Sequence, residues 1–118
     1  MVQIQSAGGE AIGVPADISS SQAVQAMFAH IVEHYGTLDI LVNNAAITPS
    51  SDAARQARAG FLDLMATPIA KHSLEVTKNL SDEEWNQIIA VNLTGVFYCM
   101  REALKIMESR RYGKIINI

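Results

Sequence analysis

Leu38–Ala46 reads L-D-I-L-V-N-N-A-A, an apolar run that stops abruptly at two asparagines and two alanines. Leu38, Ile40, Leu41 and Val42 lack polar alternation. That is the pattern of a strand buried on both faces, as in a parallel sheet covered by helices. Asn43 and Asn44 then stand at the carboxyl end of the strand, the end at which open α/β sheets bind ligands. Ala45 and Ala46 are small enough for a ligand or a neighbouring backbone to come close. The competing reading is a buried strand closed by an asparagine turn.

Upstream, Gly36 ends a helix in which Val24, Met27, Phe28, Ile31, Val32 and Tyr35 recur at helical spacing, one apolar stripe facing a sheet. Ser19–Ser21 offer its N-cap. Before it, Ala11–Pro15 is predicted as a short strand with a polar exit at Asp17, and Pro15 sits where one lost backbone donor is tolerable. Gln3–Ser6 reads as the tail of a helix stopped by Gly8 and Gly9.

Downstream, residues 47–80 are the least regular stretch. Pro49, Ser50 and Ser51 break the strand. A helix is predicted over 52–65 with Ala54, Ala57, Phe61, Leu62 and Met65 as its apolar side, weakened by Gly60. Thr67 and Pro68 read as the N-cap and first-turn proline of a second short helix. A long excursion after a strand's carboxyl end suits a substrate-side lid; the alternative is a surface loop without a role. Ser81 and Glu84 then make a capping box, with Asp82 and Glu83 at the positive end of the helix dipole. One helix is predicted from Asp82 to Ser109, with Trp85, Ile88, Ile89, Val96, Met100, Ala103, Leu104 and Met107 as its main stripe. Leu93 and Phe97 broaden the stripe to a second buried face, which suggests packing against another subunit. Asn92 lies on the main stripe, where an unpartnered amide costs roughly 1–3 kcal/mol. It is either a structural hydrogen bond or a site residue. Past Gly113, K-I-I-N-I is a final buried strand.

The 118 residues make at most one domain, and 49% hydrophobic with 18% charged residues indicate a globular chain. A net charge of −3 argues against nucleic acid as a partner. No apolar run approaches the roughly 18 residues of a membrane span, and the first residues lack a signal-peptide pattern. Cys99, the single cysteine, excludes an internal disulfide and reads as a buried thiol, consistent with a cytoplasmic protein. His30 and His34 lie four apart on a helix but lack a third ligand, and His72 has no evident partner, so no metal site is expected. The order of elements is that of an α/β fold with parallel strands and right-handed crossovers.

P-A-D-I-S at 15–19, L-D-I-L-V-N-N-A-A at 38–46, V-N-L-T-G-V-F at 91–97 and Y-G-K-I-I-N-I at 112–118 together resemble the middle portion of the short-chain dehydrogenase/reductase family. Each motif alone is weak, but four in order are specific. N-N-A-A departs from the usual N-N-A-G, which narrows the approach of a cofactor to the backbone. The resemblance implies a partial Rossmann-like, doubly wound parallel sheet holding the third, fourth and fifth strands. It implies a cofactor, NAD or NADP, contacted by Asp17 at the adenine ring with Ile18 beside it. Asn43, Asn44, Ala45 and Ala46 would line its adenosine side. Asn92 resembles the family's catalytic asparagine, which holds a water in a proton relay accompanying hydride transfer to or from a carbonyl or alcohol carbon.

The family's Gly-rich turn would precede this stretch. Its catalytic serine would follow Ile118, and its Tyr-x-x-x-Lys pair would come later still; Tyr35, Tyr98 and Tyr112 are not followed by such a lysine. The expectation is therefore an incomplete NAD(P)-binding domain over residues 1–118, a fragment inactive alone, with an inserted lid at 47–80. Its strand order leaves the third strand about 14 Å from the fourth, across two absent strands. Either apolar edges are exposed or the first strand here pairs directly with Leu38–Val42. Expected partners are a small alcohol or ketone and a second copy of the protein, as homodimer or homotetramer. The competing function is a non-catalytic module that pairs through the helix at 82–109.

Overall fold

The structure, a computed structural model, describes residues 2–50, 52–66 and 75–118. The short helix predicted to start at Thr67 and Pro68, and His72, lie outside these residues. The chain divides into two compact units, Met1–Asn44 with Thr94–Ile118, and Ala45–Leu93.

In the first unit, α1 (Val2–Ser6) leads through Gly8, which takes a left-handed φ of 82°, to the segment 10–20. Helix α2 (Ser21–Tyr35) begins where the Ser20 hydroxyl accepts the Ala23 amide, and ends at Gly36, whose left-handed φ of 76° suits a residue without a Cβ. Strand β1 (Ile40–Asn43) follows. Helix α5 (Val96–Arg110) leads into β2 (Lys114–Asn117), which pairs in parallel with β1. The register sets Leu41 opposite Ile115 and Asn43 opposite Asn117. Because successive strand residues point to opposite faces, these four side chains share one face.

That face meets the helices. Val24 and Phe28 of α2 pack with Cys99, Ala103 and Met107 of α5 to form the core, joined by Ile18, Leu38, Leu41 and Ile115 at its margin. Residues 99, 103 and 107 repeat every four positions, the spacing of a single helix face. Burial raises the pKa of the Cys99 thiol, as expected for an inert core cysteine. Gly113 lets the chain turn tightly against Met107; a Cβ there would overlap the Met107 side chain. Arg110 donates to Thr37 and, at 2.7 Å, to Asp39, tying the end of α5 to the approach of β1.

Several expectations are corrected. Ala11–Pro15 belongs to no strand: among the described residues, β1 pairs only with β2, and a strand without a partner leaves its amides and carbonyls unpaired. Direct pairing of this segment with Leu38–Val42 therefore does not occur. Neither β1 nor β2 is buried on both faces. Ile40 is 56% exposed, Val42 and Ile116 are also exposed, and α2 and α5 supply apolar contacts only to the alternate residues Leu41 and Ile115. Leu104, expected on the main buried stripe, is exposed; Phe97, on the second face expected to pack against another subunit, is exposed in the single chain. The row actually buried includes Glu102, whose carboxylate takes hydrogen bonds from Arg101 at 3.2 Å and Lys105 at 2.5 Å.

In the second unit, α3 (Asp52–Ala66) forms as predicted, though Phe61 and Met65 are exposed and not part of a core. Arg58 donates to the Thr48 hydroxyl and the Pro49 carbonyl, bracing the start of this segment. Helix α4 (Asp82–Ile89) starts at the predicted cap, where the Ser81 hydroxyl accepts the Glu84 amide at 3.2 Å. Trp85, expected on the buried stripe, is 55% exposed. The single helix predicted over 82–109 is not uniform: Ala90–Gly95 is π-helical, between α4 and α5. A π turn admits one extra residue, so an apolar stripe counted through it at 3.6 residues per turn loses its phase. Leu93, in this turn, is accordingly exposed.

Glu102 makes the first unit's stability depend on pH. The hydrogen bond from Lys105 is the main reason that its carboxyl is held below the usual range, with Arg101 adding to it and burial opposing. A depressed folded-state pKa contributes stability above the ordinary carboxyl range, and this is lost as pH falls through the lowered value. In thermal unfolding, Glu102→Gln is expected to melt below the wild type at neutral pH, and the gap is expected to narrow as pH falls through the lowered carboxyl value.

Candidate functional site

Asn43 ends β1 and is buried. Its side-chain amide donates to Asn117 Oδ1 at 2.8 Å, joining the carboxyl ends of the two parallel strands side chain to side chain. Asn117 in turn donates to Met100 Sδ at 3.7 Å. Apolar residues, Ile40–Val42 in β1 and Ile115 and Ile116 in β2, precede this last position, so the polar pair marks where the sheet stops being core. Asn117 was not singled out from the sequence. The signal available was its place: the same residue type closes both apolar runs. Asn44, Ala45 and Ala46 follow as an exposed, irregular stretch.

Asp17 and Ile18 sit at the corner that enters α2. Asp17 Oδ1 accepts both the Ser19 amide at 2.9 Å and the Ser19 hydroxyl at 2.7 Å, and the Asp17 carbonyl accepts the Ser20 amide at 3.1 Å. These donors, the hydroxyl first and the amide second, hold the Asp17 carboxyl below its usual range, so it is ionised at neutral pH. Both side-chain contacts use Oδ1, which leaves Oδ2 available as an acceptor on an exposed residue. Ile18 is half-buried and packs at the margin of the core. Among the described residues no hydrogen bond joins Asp17 to Asn43 or Asn44.

Asn92 lies in the π-helical turn and is half-buried. Its Oδ1 accepts the Ile47 amide at 2.9 Å, and its Nδ2 donates to the Ile47 carbonyl at 2.8 Å. The side chain thus pairs with one backbone residue as a neighbouring strand would, directly after Ala46. This is the structural hydrogen bond anticipated as one of its two readings. It does not exhaust the amide, which keeps one Oδ1 lone pair and one Nδ2 hydrogen. Its neighbour Gly95 is buried, and a Cβ placed there would lie 2.9 Å from both Cγ1 and the carbonyl oxygen of Ile18.

His34 pairs with Glu10 at 2.7 Å and His30 with Glu33 at 3.9 Å. Among the described residues no cluster of three metal-ligating side chains occurs, nor any helix long and apolar enough to cross a membrane.

A family model described as "Enoyl-(Acyl carrier protein) reductase" matches residues 1–70, and one described as "short chain dehydrogenase" matches residues 53–118. Among individual relatives, a 3beta-hydroxysteroid dehydrogenase of Mediterraneibacter gnavus is 33% identical over 115 residues, covering 98% of this chain and 33% of that protein. Glucose 1-dehydrogenase 2 of Bacillus subtilis is 33% identical over 98% of this chain and 36% of its own length. The short chain dehydrogenase/reductase astE of Aspergillus oryzae is 35% identical over 94% of this chain and 34% of its own length. The chain therefore spans about a third of the length of the curated relatives it matches.

Removing the Asn92 amide strips Ile47 of both its side-chain partners. Asn92→Ala is expected to cost about 1–3 kcal/mol. In amide hydrogen exchange the Ile47 N–H of the variant should exchange markedly faster, while the amides of β2 keep their protection.

Proposed function

Because this chain belongs to the short-chain dehydrogenase/reductase family, we propose that the protein carrying it is an NAD(P)-dependent oxidoreductase acting on a small alcohol or ketone. The observation that carries the reading is the polar closure of an apolar parallel pair. Asn43 and Asn117 meet at the carboxyl ends of β1 and β2, where α/β sheets take their ligands.

The donor set fits the adenosine half of a nicotinamide cofactor. Asp17 offers a fixed, ionised acceptor with one oxygen uncommitted, which suits the exocyclic amine of adenine, and Ile18 offers an apolar side beside it. Asn44, Ala45 and Ala46 are exposed and, for the alanines, short enough to admit a ribose close to the backbone. When bound, the nicotinamide supplies the hydride chemistry. The Asn43–Asn117 pair holds the two strand ends in register. Asn92, anchored to Ile47 by one acceptor and one donor, has one of each left to orient a water and hand a proton along a relay. Residues 47–80 are read as a substrate-side lid insertion in an incomplete NAD(P)-binding domain that spans residues 1–118. The 118 residues alone are inactive.

Exposed Phe97 and Leu104 on α5 support self-association as a homodimer or homotetramer. No nucleic-acid or membrane partner is proposed, and the reducing cytoplasm is the proposed compartment. The same exposed pair favours a second reading, a non-catalytic module that assembles through α5.

The test is the full-length protein carrying this chain. It should bind NAD(H) or NADP(H) saturably and interconvert an alcohol and a ketone with matching change in cofactor absorbance. Asn92→Ala should lower kcat by about 100-fold or more while changing cofactor affinity little. A full-length protein that dimerises yet binds neither cofactor form supports the assembly module and overturns the oxidoreductase reading.

A further inference from the structure

Gly95 ends the π-helical turn with φ −62° and ψ −42°, ordinary right-handed helical values that any residue adopts. Its backbone conformation therefore does not require glycine. Inside a helix glycine is also unfavourable, by about 1 kcal/mol relative to alanine. What requires it is space. Gly95 is buried, and a Cβ at this position would approach Ile18 at Cγ1 and at the carbonyl oxygen to 2.9 Å each, and at Cδ1 to 3.0 Å. A rotamer change at Ile18 could relieve the two side-chain contacts. It could not move the carbonyl oxygen, which belongs to the backbone.

The backbone in question is the corner Asp17–Ser20, which hydrogen bonds tie together. Asp17 Oδ1 holds the Ser19 amide and hydroxyl, and the Asp17 carbonyl holds the Ser20 amide. The Ser20 hydroxyl caps α2 through the Ala23 amide. A push on the Ile18 carbonyl is therefore passed to the Asp17 carboxylate on one side and to the start of α2 on the other.

We propose that Gly95 is a positioning residue: by admitting the Ile18 backbone against the helix, it sets where the Asp17 carboxylate stands to receive the adenine end of the cofactor. The inference rests on the proposed role of Asp17 and Ile18 in cofactor binding. It adds that the start of α5 leaves the room in which the Ile18 backbone of this corner lies. Specificity for adenine then depends on a residue that touches no ligand.

The experiment uses the full-length protein with the two halves of the cofactor as separate probes, AMP and nicotinamide mononucleotide. Gly95→Ala is expected to weaken AMP binding by about tenfold or more, to leave nicotinamide mononucleotide binding unchanged, and to shift the amide resonances of Asp17–Ser20. Asp17→Asn should weaken AMP binding in the same selective way. If Asp17→Asn weakens AMP and Gly95→Ala does not, the positioning role is overturned while the cofactor reading stands. If Asp17→Asn leaves AMP unchanged, the cofactor reading fails, and this inference with it. Equal loss of both probes in a folded Gly95→Ala variant marks a general structural effect and overturns the proposal. Should Gly95→Ala not fold, Ile18→Ala is measured instead. It opens a space over Gly95 and is expected to loosen the corner, and unchanged AMP affinity in that variant overturns the proposal.

Discussion

Asn43 faces Asn117 across two parallel strands, and that register constrains the rest of the first unit. Parallel neighbours cannot be joined by a tight turn, so the chain must leave the end of β1 and return to the start of β2 over a crossover. The return is made by α5, whose Cys99–Ala103–Met107 row lies against Val24 and Phe28 of α2 and over Leu41 and Ile115 of the strands. Slipping β2 by one residue against β1 would turn Ile115 away from this core and bring a neighbour, Lys114 or Ile116, into its place. It would also separate the two asparagines. Burial of one apolar face and pairing of two amides thus select the same alignment.

The candidate site follows from how its polar groups are used. Asn43 is committed to Asn117, Asn92 to the Ile47 backbone, and Asp17 Oδ1 to Ser19. Each of these bonds ties a polar side chain to a defined position within its own unit. Asp17 and Asn92 keep valences that these hydrogen bonds do not use. The anchoring bonds to Ile47 are what would hold the remaining acceptor and donor of Asn92 still.

Local signals in the sequence were legible because they act over a few residues. Ser20 and Ser81 cap the helices as their spacing predicts, and Gly36 ends α2 in the left-handed conformation that its lack of a Cβ allows. The apolar runs at 40–43 and 114–117 form strands, and the four ordered motifs point to the family that the comparisons identify. Patterns that need a partner were not legible. Ala11–Pro15 has strand composition, yet a strand exists only when another satisfies its amides, and none here does. Trp85, Phe97 and Leu104 are apolar at helical spacing, but an apolar side chain is buried only where something covers it, and these are exposed.

The sequence by itself determined the kinds of element, their caps and ends, and the family, because these depend on spacing and residue type along the chain. The tertiary structure decided which face of each element became core, that the helix after Ser81 would pass through a π turn, and which partners the asparagines took. Asn117 and Gly95 show the physical reason. One is a polar residue in an apolar strand, the other a glycine in ordinary helical conformation. Neither has a meaning until a residue distant in sequence, Asn43 or Ile18, is brought within contact distance.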